Sequence, residues 1–192
     1  MKIATAPVSW GICEVEGLSA RRPYSEVLDE MRLAGYEGTE LGPYGYLPTD
    51  PMLLREDRSR RQLELVTAFV PIPLSEPERF EHGLRDALRV ADVLHALGAT
   101  LIVLADTLTP RRLAVAGRVA PTDELTEAQW REAVAFLHEV ARACRARGLL
   151  AAFHHHAGTF IETPREVARL LAMTDPELIG LCLDTGHYVY GR

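Results

Sequence analysis

Apolar positions along the chain follow two alternating spacings. Short runs at Ile3–Val8, Tyr36–Pro43, Leu63–Val70, Thr100–Ala105, Leu149–Phe153 and Ile179–Leu183 have the length and near-continuous character of buried strands. Between them the spacing changes to that of a helix. Val27, Leu28, Met31 and Ala34 recur from Tyr24 onward, with Gly35 as a stop. Asp50-Pro51 reads as a cap with proline in the first turn, opening a helix that runs to about Arg61. Phe80, Leu84, Ala87, Leu88, Ala91, Leu94 and Leu97 form a long stripe that ends before Gly98. Thr126-Glu127-Ala128-Gln129 is a capping box; it opens a helix whose Trp130, Val134, Leu137, Val140, Ala141 and Cys144 face one side before Gly148. A second box, Thr163-Pro164-Arg165-Glu166, opens the next helix.

Strand and helix therefore alternate from end to end, with no linker, short repeat or low-complexity tract to divide them. The pattern predicts one α/β domain over residues 1–192, built on a parallel sheet. Leu63–Val70 is read as one strand closed by Pro71-Ile72-Pro73. Asp106–Asp123, with Pro110, Gly117 and Pro121, is read as an irregular stretch. Its arginines Arg111, Arg112 and Arg118 are assigned to a solvated loop, in preference to a site for an anionic substrate.

Composition narrows the function. The chain has 192 residues, 47% hydrophobic and 25% charged, with a formal net charge of -6. An acidic balance with no basic face argues against a phosphate-backbone partner, so nucleic acid is not expected. Lys2 is the only lysine. Cys13, Cys144 and Cys182 are odd in number and far apart, which fits reduced thiols and neither a disulfide framework nor a zinc knuckle. The N-terminus has no secretory apolar region, and no later run approaches membrane-spanning length; a soluble, cytoplasmic protein without a membrane partner is expected.

The candidate chemistry gathers just after strands, at Trp10, Glu40, Asp106, His154, His156, Asp184 and His187. In a (β/α) barrel that rim is the active-site face. Asp184 and His187 are ligands for a borderline or hard cation, and Gly186 permits a turn sharp enough for both to address one centre. The competing reading makes Asp184 the cap of the next helix. Of the three adjacent histidines, an extended backbone points His154 and His156 one way and His155 the other. Trp10 either stacks on a sugar face or plugs the pocket floor.

Four stretches, Ala6-Pro7-Val8-Ser9-Trp10-Gly11, Gly38-Thr39-Glu40-Leu41-Gly42-Pro43 with Tyr46-Leu47-Pro48, His154-His155-His156-Ala157-Gly158-Thr159 and Leu183-Asp184-Thr185-Gly186-His187, stand out together. In combination they resemble the xylose isomerase-like TIM-barrel superfamily of sugar isomerases and epimerases and, within it, the inosose dehydratases of inositol catabolism. The resemblance implies a (β/α)8 TIM barrel and a divalent metal (Mn, Co, Mg or Zn) at its C-terminal rim. Asp184 matches a metal ligand. His187 matches a histidine that binds substrate in the epimerases and metal in the superfamily's apurinic-site endonucleases. His154 stands where many epimerases carry a glutamate that is both ligand and base, a departure that favours a dehydratase over a paired-glutamate epimerase.

The implied reaction is dehydration of a keto-cyclitol or keto-sugar through an enediolate. Asp184 and His154 serve as metal ligands, His154, His156 and His187 as catalytic groups, and Trp10, Glu40 and His187 as substrate contacts. A sugar (phosphate) isomerase or epimerase is the alternative, and a non-catalytic barrel fragment the second. A TIM barrel takes about 250 residues and eight strands, whereas about six βα units are read here. The expectation is a truncated product, or a subunit whose open barrel edges are covered by another chain, as in a homo-oligomer.

Overall fold

A computed structural model describes residues 2–13 and 17–192. Strands and helices alternate in the order β1 (Ala4–Thr5), α1 (Tyr24–Leu33), β2 (Gly38–Glu40), α2 (Pro51–Arg60), β3 (Glu64–Thr67), β4 (Phe69–Ile72), α3 (Phe80–Ala96), β5 (Leu101–Asp106), α4 (Pro110–Leu113), α5 (Glu127–Arg145), β6 (Leu150–His154), α6 (Pro164–Met173), β7 (Ile179–Cys182) and α7 (Thr185–Tyr190). The strands fall into two sheets of order β1-β2-β3 and β4-β5-β6-β7. The pairs β1–β2, β2–β3 and β6–β7 are parallel. This is the parallel α/β arrangement that the alternating pattern predicts. Two compact units are distinguished, residues 1–69 with 90–102 and residues 70–89 with 103–192.

In the first unit, α1 buries Val27, Leu28 and Met31 completely, as their spacing requires. Asp50 caps α2 by accepting from the N–H groups of Met52 and Leu53, with Pro51 in the first turn. Where β2 meets β3 the register slips between Thr39 and Glu40, so that Glu40 comes opposite Thr67.

Two sequence expectations fail in this region. Ile3–Val8 is not a buried strand: only Ala4–Thr5 is extended, and Pro7 starts a 3-10 turn over Pro7–Trp10. Proline fixes its own φ and lacks the N–H that a ladder needs. Ile3 and Val8 are accordingly exposed. The run Leu63–Val70 is also two strands, β3 and β4, which part at Ala68 and join different sheets. An apolar run carries no mark of such a transfer, and Pro71, read as a terminator, lies inside β4.

The second unit carries the site. Its long helix α5 opens with the Thr126/Gln129 capping box and buries Trp130, Val134, Leu137, Val140, Ala141 and Cys144. Gly83 of α3 is buried because Pro73 and Phe136 occupy the space that a Cβ there would need. Phe80 and Phe136 stack with ring centroids 4.0 Å apart. Strand β6 buries Ala151, Ala152 and Phe153. Strand β7 ends its sheet order, and Leu181 and Leu183 at its close are exposed, so this segment is not buried on both faces.

Candidate metal centre

The triple histidine starts where β6 ends and divides as an extended backbone predicts. His155 is 0% exposed, while His154 and His156 are half-buried on the other side. Parallel pairing places His154 beside Cys182 in β7, and Asp184 follows two residues later. His154 Nε2 lies 3.8 Å from Asp184 Oδ2. One ligand atom each from His154, Asp184 and His187 falls within 4.8 Å of the other two. His156 joins the group with its ring centroid 3.9 Å from that of His187 and 5.7 Å from that of His154.

At Asp184 the helix cap and an approach to the histidines coexist. One carboxylate oxygen caps α7 by accepting from the His187 N–H at 2.8 Å, while the other faces His154. The cap swings His187, on the first turn of α7, towards the histidines of β6.

The charge state suits cation binding. Burial, reinforced by the neighbouring His156, lowers His154 from the ordinary 6.5 to about 4, and the nearby Asp184 carboxylate opposes this only in part. Burial and the proximity of His156 also lower His187. For Asp184, burial works to raise the value, but the His187 N–H and the surrounding histidines outweigh it and hold the carboxyl below its usual range. At neutral pH His154 and His187 are neutral imidazoles and Asp184 an ionised carboxylate, the donor state a divalent cation needs. The residues therefore fit such a group.

One residue aims two of the rings through its two flanking peptides. The Ala157 carbonyl accepts from His156 Nδ1 at 2.7 Å, which leaves the lone pair on Nε2. The Ala157 N–H points at His187 Nδ1 across a longer 3.4 Å. Below them, His155 Nε2 accepts from the Asp184 N–H at 3.3 Å; its Nδ1 is buried with no hydrogen-bond partner among the described residues.

Other buried charges frame the loops. Asp106, at the end of β5, accepts from Leu74 N at 3.1 Å and from Phe160 N at 2.9 Å. Burial raises it to about 7 against the pull of those hydrogen bonds. Arg112 corrects the sequence reading: it is not part of a solvated loop but is 0% exposed. It donates to both carboxylate oxygens of Glu166, at 2.8 and 3.1 Å, and lies 3.8 Å from Glu162. Arg111 and Arg118 are exposed, as expected. The partners of Arg112 sit about fifty residues away, a distance over which sequence spacing carries no signal. Glu166 was legible only as the capping-box residue, and Glu162 drew no attention at all.

Trp10 and Glu40, the predicted substrate contacts, belong to the first unit. The Trp10 indole N–H donates to Glu30 of α1 at 2.7 Å, and its ring stands edge-on to Tyr36. Glu40 closes β2 at the register slip.

Comparison with known proteins places this geometry. Inosose dehydratase of Geobacillus kaustophilus (strain HTA426) is 33% identical over 195 residues, an alignment covering 99% of this chain and 62% of that protein. The chain thus spans about three-fifths of the length of this relative. Among solved structures, the IOLI protein with a bound zinc atom superposes with a TM-score of 0.73 at 13% identity, covering 98% of this chain and 64% of that one. A xylose isomerase-like TIM barrel protein from Mycobacterium smegmatis in complex with magnesium gives 0.71 at 19% identity, over 97% and 65%. The family model described as xylose isomerase-like TIM barrel matches residues 28–192, which takes in both the triple histidine and the Asp184–His187 turn. With a parallel α/β chain that carries its polar cluster just past β6 and β7, the protein belongs to the xylose isomerase-like TIM barrel family.

Proposed function

We propose that the chain carries the catalytic groups of a hydro-lyase that dehydrates a keto-cyclitol or a closely related keto-sugar, as the inosose dehydratases it resembles are named for doing. The observation that carries this reading is the convergence of His154, Asp184 and His187 within 4.8 Å, with His156 alongside. His154 and Asp184 would hold a divalent cation, with His187 beside them to address the substrate. When bound there, such an ion supplies Lewis-acid polarisation of the substrate ketone.

The chain's own groups then divide the proton work. His156 directs Nε2, with its lone pair free, away from the Ala157 carbonyl, and so offers an acceptor for the proton next to the ketone. Removal of that proton leaves the bond's electron pair in the enolate. Its collapse expels the hydroxyl on the next carbon, and the proton returned by His156 completes a water molecule. His187, whose Nδ1 faces the Ala157 N–H, presents Nε2–H to a substrate oxygen. An imidazole at His154 instead of a glutamate takes away the second carboxylate base that would return a proton to carbon from the opposite face, which favours elimination over epimerisation.

The test is incubation of the cobalt- or manganese-loaded chain with scyllo-inosose. Growth of the absorbance of a conjugated hydroxy-enone, the enol form of a cyclic 1,2-diketone, is expected. A product isomeric with the substrate overturns the dehydratase reading in favour of an isomerase or epimerase. No turnover by a metal-loaded chain overturns catalysis by these residues alone.

A further inference from the structure

Glu162 is 0% exposed, yet its two carboxylate oxygens are not spent mainly on the buried arginine beside it. Oε1 accepts from the Gly117 N–H at 2.6 Å and Oε2 from the Gly158 N–H at 2.7 Å, whereas Arg112 is 3.8 Å away. One side chain therefore ties together the loops of Gly117 and Gly158, which are distant in the chain. Both glycines have positive φ, 74° and 82°, a backbone state that disfavours other residues. Leu113 stands 2.8 Å from where a Cβ on Gly158 would lie.

A third segment rests on the same place. A Cβ on Gly191, just past α7, would meet the Glu162 carbonyl oxygen at 2.6 Å, and the Tyr190 ring packs 3.0 Å from the Cβ position of Gly117. The Gly191 N–H donates back to the His187 carbonyl at 2.9 Å. The end of α7, and His187 with it, is thus seated on the Glu162 junction.

We propose that Glu162 is the positioning residue of the histidine cluster. By holding the Gly158 N–H it fixes the Ala157–Gly158 peptide whose carbonyl orients His156, and by supporting the end of α7 it seats His187. The proposal rests on the reading of His154 and Asp184 as a cation site flanked by His156 and His187. Its physical basis is the general one that ligand and proton-transfer rings take their direction from hydrogen-bond partners one layer out. Glu162 touches no reacting atom; it acts through the Ala157–Gly158 peptide and the end of α7. A glutamine there has a single acceptor oxygen, so it can retain only one of the two amides.

The experiment compares the unaltered chain with Glu162→Gln and Val140→Ala, the latter a control that loosens the core on α5 away from the loops. Cobalt(II) affinity is followed by visible absorption, and the ring nitrogen shifts of His156 and His187 by 15N NMR. Glu162→Gln is expected to weaken cobalt binding at least ten-fold and to replace the single Nδ1–H form of His156 by averaged ring signals. Val140→Ala is expected to lower the urea midpoint while leaving both readouts within two-fold of the unaltered chain. Glu162→Gln that binds cobalt within two-fold and keeps the His156 signature overturns the proposal.

If the unaltered chain binds no cobalt, the cation reading falls, and the ring signature alone decides for or against Glu162. If Glu162→Gln does not fold, amide hydrogen exchange in the unaltered chain decides instead. Strong protection of both Gly117 and Gly158 is expected, and free exchange at either overturns the clamp.

Discussion

The imidazole of His155, which solvent does not reach, supports Asp184 from below by accepting its backbone N–H on Nε2 at 3.3 Å. The central histidine of the triple thus faces away from the cluster but still governs it, because the residue it holds is both a candidate ligand and a helix cap. His155→Leu leaves that N–H unpaired and should cost about 1–3 kcal/mol. His155→Gln returns an acceptor and should recover part of the loss. Urea denaturation measures the cost, and cobalt titration should show His155→Leu binding more weakly than His155→Gln. Equal behaviour of the two variants would exclude the support role.

The two duties of Asp184 can be separated by substitution. Asparagine caps helices about as well as aspartate but brings no negative charge to a cation. Asp184→Asn should therefore stay within about 1 kcal/mol of the parent in stability and lose cobalt binding, while Asp184→Ala should lose both. Retained cobalt affinity in Asp184→Asn would remove this carboxylate from the ligand set.

Breaking the Arg112 pair should be among the most damaging single changes in the second unit. Arg112→Met leaves the buried Glu166 carboxylate, and the nearby Glu162, without their cation. Loss of one member of a buried ion pair typically costs about 3–5 kcal/mol. Arg112→Met combined with Glu166→Gln should recover part of that, which a double-mutant cycle in urea can read directly.

The pH dependence of stability has two opposing parts. His154 is held near 4 when folded against an ordinary 6.5; its contribution is complete above about 6.5 and is lost as pH falls through about 4. Asp106 is raised from 3.8 to about 7; its contribution is complete below 3.8 and is lost as pH rises through about 7. Asp106→Asn removes the second part. Its unfolding free energy should therefore climb more steeply with pH between 4 and 7 than that of the parent, by up to about 4 kcal/mol across the window. Parallel curves for variant and parent would show that Asp106 carries no such shift.

What the sequence made legible was what is decided within a few residues. Both capping boxes form as read, because Thr126 with Gln129 and Thr163 with Glu166 meet across one helical turn. The division of the three histidines, which begin at the last residue of β6, is the one an extended backbone gives, and the Asp184–His187 pair comes from a four-residue turn. What was not legible depends on distant partners. Arg112 resembles any loop arginine until Glu166 arrives from α6, and Glu162 is one more acidic residue until the loops of Gly117 and Gly158 close on it. The parting of β3 and β4 at Ala68 is likewise a choice between two sheets, and no single run of residues records it.

Because the His156 and His187 rings are aimed by the backbone N–H and C=O of Ala157, the most consequential group in the loop has no side chain to delete. A saturation scan would score position 157 as permissive and pass over it. Replacing the Ala157–Gly158 amide by an ester, which removes the Gly158 donor and weakens the Ala157 acceptor, would expose a dependence that amino-acid substitution leaves hidden.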